Sequence, residues 1–520
     1  MASLPHKQVR LAELIAAISL ATDLGTGQPM GHALRTCYLA MGLARELGVP
    51  VQYQFDTYYL SLLRFLGCTA EASEDAALNA GDDIALYAGL GPSFMGAPSE
   101  TMRWMLHHLA EGTSPLTRAR ALMGAFADPR GAERSIRAHC EVGQMLARRI
   151  GLGDSVQNAL GCAFERWDGK GLPNGIAGED IPASSRVAIV ARDFDLLNRV
   201  RGADNAAKIM QERKGKAYEP RVIEVVLDYG PRIIAQIENE SLWDAVLESE
   251  PGPPLTLEEA RIGEVLGAFA HFVDLKSPFL RGHSIGVAEL VEGAAHISTA
   301  LEIDAKLLRW AGLVHDLGRA AVPSGIWNKE GALSDEEWER VRLHPYYTQR
   351  ILIRCGPLKD LAEVASSHHE RMDGSGYHRG SRAPALSAGA RLLATADVFR
   401  AMTEPRPHRD AFSQSRAAEE LNNVCADGQL DISSARCVLE AAGQGKPARS
   451  TWPAGLSDRE VEVLCLLATG LSNKQIARRL TLSPKTVGHH VEHIYAKLEV
   501  STRAGATLFA MEQGLVGVRS

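Results

Sequence analysis

The sequence has 520 residues with a formal net charge of -7 at pH 7, and 45% of its residues are hydrophobic. This length predicts three or four domains, and the apolar fraction indicates packed globular cores and excludes a disordered chain. The charge gives no general reason for nucleic-acid or membrane binding, so any such site must be local.

The cysteine pattern and the apolar stretches indicate where the protein works. Eight cysteines are scattered without a Cys-x-x-Cys pair, which is typical of reduced thiols in a cytoplasmic protein. The apolar stretch at residues 11–21 is interrupted by Glu13 and is followed by no cleavage pattern. A membrane-spanning helix needs about 20 apolar residues. We therefore expect a cytoplasmic location and no membrane segment.

Two breaks divide the chain into three units. Residues 250–254 and 445–450 contain prolines and glycines that cannot continue a helix. Between the breaks, apolar residues recur at three- and four-residue steps, and alternating strand patterns are scarce. The pattern predicts an all-α protein with units at residues 1–250, 255–444 and 453–518.

The first two units are related by duplication. Three spacings recur in both units. A spacing of 32 residues separates His32 from Arg64 and His283 from His315. A spacing of 29 residues separates His139 from Asp168 and His344 from Asp373, and one of 24 residues separates Asp168 from Arg192 and Asp373 from Asp397. The match of residues 165–171 with 370–376 fixes the register. The first unit has about 46 extra residues between Arg64 and His139, which we interpret as a surface insertion without chemistry of its own.

The second unit contains seven residues that can together bind two metal ions: His283, His315, Asp316, His344, His368, His369 and Asp397. A phosphodiester resists hydrolysis because its charge repels nucleophiles, and two divalent ions overcome this by generating hydroxide and clamping the reacting group. The adjacent His315 and Asp316 offer a bridging carboxylate among imidazoles. This mixture of nitrogen and oxygen ligands suits iron, manganese or zinc.

The first unit has lost most of these ligands. At the same register it reads His32, Arg64, Phe65, His139, Ala163, Phe164 and Arg192. Only the two histidines survive, and we expect them to have structural roles, because the arginines would bring positive charge where cations should bind. The sequence therefore predicts metal binding in the second unit alone. Asp168 and Asp373 lie in Asp-Gly-x-Gly turns, which we expect them to cap.

Five motifs follow one another in the second unit: Gly282-His283-Ser284, residues 313–319, Leu343-His344-Pro345, residues 368–377 and residues 396–399. In this order they resemble the HD-GYP branch of the HD phosphohydrolases, over about residues 255–415. The resemblance implies an all-helical domain and hydrolysis of cyclic di-GMP or a related cyclic nucleotide. It also implies two divalent metal ions, with iron or manganese favoured over zinc. Carried over by position, Asp316 and Arg319 are the candidate catalytic residues.

Three departures from the family pattern concern the substrate. Gly376-Tyr377-His378 replaces Gly-Tyr-Pro, and Arg319 replaces the lysine after the His-Asp pair. The loop at 379–386 lacks the usual Gly-x-x-Ile-Pro run, which the first unit keeps at 178–182. An arginine can still hold a phosphate, as a bidentate donor. The sequence therefore indicates metal binding more strongly than cyclic di-GMP hydrolysis.

Residues 456–516 form short amphipathic helices with tight connections. Ser457 and Glu460 form a capping box, and Gly470 ends the first helix. A second helix begins near Ser472, and a third begins with Ser483 as its cap and Pro484 in its first turn. This spacing is typical of a helix-turn-helix.

These residues, with 495–498 and 501–503, closely resemble the LuxR-type DNA-binding domain along its whole length. The resemblance implies four helices, of which the third enters the major groove of double-stranded DNA and the fourth commonly pairs two subunits, so we expect a homodimer. Val487, Val491 and Ile494 should face inward. The candidate DNA-binding residues are Lys474, Ser483, Lys485, Thr486, His489, His490, His493 and Lys497.

Three interpretations of the whole chain stay open. The favoured one is a cytoplasmic transcription regulator whose tandem HD domains bind metal and a nucleotide-like signal and act on the LuxR-type domain. The alternative is a metal-dependent phosphodiesterase that acts on a cyclic dinucleotide such as cyclic di-GMP and carries a DNA-binding tail. The third, a scaffold without catalysis, leaves the seven retained ligands unexplained.

Overall fold

The computed structural model describes residues 9–93, 98–237, 241–298, 304–443 and 452–516. The regular secondary structure of these residues is helical, as predicted, apart from the two-residue strands β1 (Val9–Arg10) and β2 (Thr256–Leu257), which pair antiparallel. One compact unit spans Val9–Glu258, and a second begins at Glu259 and contains both the second and the third predicted segments. The predicted break at 445–450 lies outside the described residues.

The first unit is a bundle of helices with its core between the second, tenth and twelfth of them. Leu39, Leu43, Val190, Phe194 and Val226 are buried together there. The predicted insertion is itself helical and forms α4 to α7. In chain order the helices are α1 (Leu11–Gly25), α2 (His32–Glu46), α3 (Val51–Leu63), α4 (Ala72–Leu78), α5 (Asp83–Leu90), α6 (Pro98–His108), α7 (Pro115–Ala127), α8 (Gly131–Ile150), α9 (Asp154–Gly161), α10 (Ala183–Arg201), α11 (Ala203–Arg213), α12 (Pro220–Ile237) and α13 (Leu242–Glu248).

The second unit repeats this arrangement without the insertion. Its helices before the C-terminal segment are α14 (Glu259–Asp274), α15 (His283–Ile297), α16 (Ala305–Val314), α17 (Ser324–Trp327), α18 (Asp335–Arg342), α19 (His344–Leu352), α20 (Ala362–Ser366), α21 (Ala388–Thr403), α22 (Gln414–Ala426) and α23 (Ile432–Gly443). Helices α15, α16 and α21 pack against one another, so the ends of these three helices meet in one region.

The same local structure starts the first ligand helix in each unit. A glycine with left-handed backbone precedes α2 and α15: Gly31 has φ +101° and Gly282 has φ +78°. A buried carboxylate then accepts hydrogen bonds from the helix start, Asp23 from the N–H of Gly31 and Asp274 from the N–H and hydroxyl of Ser284. These bonds satisfy backbone donors that a helix start leaves free. The duplicated sequence therefore encodes a duplicated scaffold.

A second glycine in each unit allows two backbone segments to touch. A Cβ added at Gly318 would lie 1.9 Å from the carbonyl oxygen of His344, and one added at Gly67 would lie 1.9 Å from that of His139. The N–H of Gly318 also donates to Oγ1 of Thr348 (2.9 Å). Only glycine permits this approach, which places the start of α19 beside the chain that follows α16.

We expect Gly318→Ala to destabilise the protein by roughly 3 kcal/mol or more, because the new methyl group collides with backbone that cannot rotate away. Gly331→Ala is the matched control, since nothing lies within 4 Å of a Cβ at that exposed position. Its effect should stay within about 0.5 kcal/mol. Urea unfolding followed by circular dichroism measures both variants, and equal midpoints would contradict the steric argument.

The C-terminal segment encloses a small core of its own. Its helices are α24 (Asp458–Ala468), α25 (Asn473–Leu480), α26 (Pro484–Leu498) and α27 (Arg503–Glu512). The capping box of Ser457 and Glu460 is present as predicted. Val487, Val491 and Ile494 are all buried, which confirms the predicted inward face of α26. Among the described helices, none combines the length and apolar character that crossing a bilayer requires.

Candidate functional site

The seven predicted metal ligands meet inside the second unit. The helices and their junctions bring them together: His283 starts α15, His315 and Asp316 follow α16, His344 starts α19, His368 and His369 follow α20, and Asp397 lies within α21. Six of the seven side chains are buried, and His369 is partly exposed. Ligands that are far apart in the sequence therefore form one cluster.

Asp316 lies between two groups of imidazoles. Its Oδ2 is 3.0 Å from Nε2 of His315 and 3.5 Å from Nε2 of His283. Its Oδ1 is 3.3 Å from Nε2 of His368 and 3.5 Å from Nε2 of His344. One carboxylate thus presents a different oxygen to each group, as a ligand that bridges two ions must do.

Asp397 and His369 complete the two groups. Oδ1 of Asp397 is 3.0 Å from Nε2 of His283, and its Oδ2 is 3.8 Å from Nδ1 of His369. Three sets of potential ligand atoms lie within 4.8 Å of one another: His283, His315 and Asp397; His315, Asp316 and His368; His344, His368 and His369. Within the described part of the chain, every such set lies in the second unit.

Hydrogen bonds fix the orientation of four imidazoles. Nδ1 of His315, His344 and His368 each contacts the carbonyl oxygen of the residue three positions earlier, at 2.6 to 2.7 Å. Nδ1 of His283 contacts Oε2 of Glu404 at 2.8 Å. Because these acceptors hold a proton on Nδ1, Nε2 is the ring atom through which each of these histidines would bind a metal ion.

The electrostatics of the cluster fit divalent cations. Burial lowers the pKa of His344 to about 4 and also lowers the pKa of His368, so both rings are neutral near pH 7. Burial alone would raise the pKa of Asp316, but Arg319 and His315 hold it well below its usual range. Nε2 of His315 and both oxygens of Asp316 are buried without a hydrogen bond of acceptable geometry to any described residue. Such groups are costly to bury unless a cation compensates them.

Two further side chains border the cluster. Nη1 of Arg319 is 2.8 Å from Oδ2 of Asp316, and its guanidinium stacks over the ring of Trp327. The ring of Tyr377 lies 4.7 Å from that of His369. A positive charge therefore lies beside the buried Asp316, and an aromatic ring lies beside the partly exposed His369.

Glu404 is a site residue that the sequence analysis missed. Its Oε1 is 2.7 Å from Nε of Arg400, which holds the carboxylate against His283. It follows Asp397 by seven residues, about two helical turns, so that helical spacing from a known ligand could have indicated it. Its neighbours form no motif that would have singled it out.

We expect Glu404→Ala to weaken metal binding about 10- to 100-fold, because a metal-binding histidine without its second hydrogen bond loses both orientation and basicity. The matched control is Glu420→Ala, an exposed residue on α22. Competition with a chelator measures the affinity of both variants. An unchanged affinity in Glu404→Ala would show that this carboxylate does not support the site.

The surviving histidines of the first unit have structural partners. Nε2 of His139 donates to the carbonyl oxygen of Arg64 (2.8 Å), and Nδ1 of His32 lies 3.0 Å from Oδ2 of Asp195. The two turn aspartates behave as predicted. Oδ1 of Asp373 accepts from the N–H and hydroxyl two residues later, and Oδ1 of Asp168 accepts the corresponding N–H.

Most of the candidate DNA-binding residues lie along α26, from its cap Ser483 to Lys497 near its end. Lys485, His489 and His493 are exposed, whereas Thr486 and His490 are partly buried. Lys474 is exposed on α25, and Ser483 caps α26 by accepting from the N–H of Thr486 (3.0 Å). Most of the predicted set therefore lies on the accessible side of the helix-turn-helix.

Lys497 has a different environment from the other candidates. Its Nζ lies 2.6 Å from Oε2 of Glu460 and 2.9 Å from the carbonyl oxygen of Gly455. Its charge is thus used within the domain. Arg478 and Arg479 are exposed basic residues of α25 that the sequence analysis did not include, although their position after the buried Ile476-Ala477 could have indicated them.

A polar contact joins the metal-binding region to the C-terminal segment. Arg281, two residues before His283, donates from Nη1 to the carbonyl oxygen of Ala468 at the end of α24. A Cβ added at Gly470 would lie 3.2 Å from Cβ of Pro278, so the backbones approach closely here. The chain before α15 is therefore packed against the end of α24, the first helix of the C-terminal segment.

Comparison with known proteins agrees with this architecture. Residues 131–222 and 268–432 match the family model of the HD domain, and residues 454–510 match that of the bacterial regulatory proteins of the luxR family. The 3'3'-cGAMP-specific phosphodiesterase 3 of Vibrio cholerae is 30% identical over 414 residues, which are 78% of this chain and 89% of that protein. The chain belongs to the HD-domain family that contains this phosphodiesterase, and its C-terminal region is a LuxR-type domain.

Two further comparisons also match phosphodiesterases. A cyclic di-GMP phosphodiesterase of Pseudomonas aeruginosa is 37% identical over 166 residues, 31% of this chain and 39% of that protein. The crystal structure of a cyclic GMP-AMP specific phosphodiesterase of V. cholerae matches with a TM-score of 0.58 and 25% identity, over 85% of this chain and 99% of that one. These relatives support the phosphodiesterase alternative better than the interpretation favoured from the sequence.

Proposed function

We propose that the second HD domain is a metal-dependent phosphodiesterase that hydrolyses a cyclic dinucleotide. The observation that carries the proposal is Asp316, a buried carboxylate that presents one oxygen to each of two groups of imidazoles. The V. cholerae relative, which is named for 3'3'-cGAMP, aligns with 78% of this chain. The P. aeruginosa relative, which is named for cyclic di-GMP, aligns with only 31%. We therefore propose 3'3'-cGAMP as the first substrate to test, ahead of cyclic di-GMP.

The ligand set favours iron or manganese. One ion would be bound by Asp316 together with His283, His315 and Asp397. The other would be bound by Asp316 together with His344, His368 and His369, so each ion would have four protein ligands. Tetrahedral zinc would then have no open position, whereas six-coordinate ions keep room for substrate. When bound, two such ions supply a water of lowered pKa and neutralise charge on the phosphate.

The surrounding residues have separate roles in this proposal. The low pKa of Asp316 keeps it ionised, and the Nδ1 hydrogen bonds keep the imidazoles oriented. Arg319 can donate two parallel hydrogen bonds to a phosphate oxygen pair while it stays beside Asp316. Tyr377, next to His369 at the partly exposed edge, provides an aromatic face for a base.

The test is anaerobic purification, metal analysis and a hydrolysis screen. We expect about two equivalents of iron or manganese per chain and conversion of 3'3'-cGAMP to a linear product by chromatography. Cyclic di-GMP and a linear dinucleotide serve as competing substrates in the same screen. Two bound metal ions without hydrolysis of any cyclic dinucleotide would instead favour a regulator that only senses its ligand.

We also propose that residues 452–516 bind double-stranded DNA, and that the protein acts as a cytoplasmic homodimer. Support comes from the match to the luxR family and from the exposed side chains of Lys474, Lys485 and His489 around the helix-turn-helix. In this proposal hydrolysis and regulation of transcription reside in the same polypeptide.

A further inference from the structure

One buried and one mostly buried arginine occupy the metal positions of the first HD domain. Arg64 stands where the second domain has His315, and Arg192 stands where it has Asp397. Arg64 is only 5% exposed. Its guanidinium carbon lies 4.8 Å from the ring centroid of Phe164 and 5.7 Å from that of Phe65, and the guanidinium carbon of Arg192 lies 5.6 Å from the same Phe65 ring. Both guanidinium groups therefore lie against the ring of Phe65.

The protein leaves part of this positive charge without partners. Nε and Nη1 of Arg64 and Nε of Arg192 are buried without a hydrogen bond to any described residue. Asp193 pairs with Nη1 of Arg192 at 2.7 Å. Asp195 is already used by His32 and by an arginine on α2. No carboxylate within the described ranges therefore forms a hydrogen bond with Arg64.

The guanidinium of Arg64 is charged at neutral pH. Burial and the neighbouring Arg192 lower its pKa, but only to about 10. Burying an unpaired cation is among the most costly arrangements in a protein, and contacts with aromatic rings offset only part of that cost. Unused guanidinium N–H groups have a shape and charge that match an oxyanion. A bound anion would satisfy both the charge and the free donors.

We propose that the first HD domain binds a phosphate-type oxyanion through Arg64 and Arg192, at the place where the second domain binds metal. The ligand is either free orthophosphate or the phosphate group of a nucleotide, since both present the same oxygens. In this proposal the duplicated site has exchanged a cation for an anion. Arg192 also donates to the carbonyl oxygen of Gly91 (2.9 Å), so the insertion contacts the anion site.

The test measures binding of orthophosphate and of GMP to the full-length protein by equilibrium dialysis. We expect Arg64→Met and Arg192→Met each to lose at least about 10-fold in affinity at one site, as expected for the loss of a charge-assisted hydrogen bond. Arg134→Met is the matched control, because that arginine is 62% exposed and pairs with Asp128. Any phosphate held by the metal centre remains in all these variants, so the difference isolates the first domain.

GMP distinguishes the two sources. If Arg64→Met loses GMP together with orthophosphate, the ligand is a nucleotide phosphate; if it loses orthophosphate and the wild type binds no GMP, the ligand is free phosphate. Arg64→Lys keeps the positive charge, so it should still bind orthophosphate measurably, although more weakly than the wild type. This result would show that the loss of binding in Arg64→Met is not caused by misfolding. Equal orthophosphate binding by the wild type and Arg64→Met would overturn the proposal.

Thermal unfolding gives an independent readout. Orthophosphate at about 100 times its Kd should raise the Tm of the wild type by about 5 to 10 °C and raise that of Arg64→Met by less. In phosphate-free buffer, Arg64→Met should be at least as stable as the wild type, because it no longer buries an unpaired cation. If Arg64→Met is less stable and phosphate stabilises neither protein, the arginines are only structural replacements for the metal ions and the proposal fails.

Discussion

Asp316→Asn is expected to reduce hydrolysis of the cyclic dinucleotide at least about a thousandfold and to remove most of the bound metal. The substitution preserves the size of the side chain but removes the negative charge that faces both groups of imidazoles. Charge stabilisation by a metal pair contributes several kcal/mol to the transition state, which corresponds to a rate factor of this size. Metal analysis and chromatography of the reaction products measure the two effects together.

The first domain supplies the control for this substitution. His32 and His139 occupy metal-ligand positions in the repeat, but they contact Asp195 and the backbone of Arg64. Their replacement by Ala should leave about two metal ions per chain and should not change turnover, provided that circular dichroism shows a folded protein. Loss of metal in that double variant would disprove the division between a metal-binding and a metal-free HD domain.

Removal of residues 452–520 is expected to abolish sequence-specific DNA binding, and Lys485→Ala should weaken binding to all DNA sequences. Lys485 is exposed at the start of α26, and we expect it to contact a phosphate, which carries no sequence information. The loss of one phosphate contact should reduce the slope of log K against log salt by about one unit. A binding titration at several salt concentrations measures this slope.

Lys497 provides the control on the same helix. Because its ammonium is held by Glu460 within the domain, Lys497→Ala should lower the stability of the C-terminal segment and leave the salt slope unchanged. Specific DNA binding by a protein without residues 452–520 would show that the DNA-binding assignment is wrong.

The sequence predicted the helical fold and the order of the metal ligands because both depend on local signals. Caps such as Ser457 with Glu460, and the left-handed Gly282 before His283, determine where helices begin, and most ligands lie at helix ends. For Glu404 the only local signal was its seven-residue spacing from Asp397, because its role depends on a hydrogen bond to a residue 121 positions away. Contacts of this range arise from packing, which no local pattern encodes.

The insertion and Lys497 also have contacts with residues far away in the sequence, which the sequence analysis could not predict. Spacing alone located the extra residues after Arg64, but their contact with Arg192 joins residues that are 101 positions apart. Lys497 belongs to a motif that is typical of a DNA-binding domain. The charge of Lys497 is nevertheless compensated by Glu460, which lies 37 positions earlier. A sequence motif therefore indicates which residues could contact a ligand. It does not reveal which of these residues already have a partner within their own domain.

The hydrogen bond from Arg281 to Ala468 connects two equilibria that are otherwise separate. Arg281 lies in the chain that leads into His283, so a ligand that shifts the start of α15 also changes the free energy of this bond. If DNA favours one position of α24, the ligand and the operator then belong to a single thermodynamic cycle. Each must change the affinity of the other by the same factor, which for coupled sites is usually about 5 to 150. If the proposed hydrolysis and DNA binding are both correct, hydrolysis of the cyclic dinucleotide would then change the affinity of the protein for DNA as the ligand is consumed.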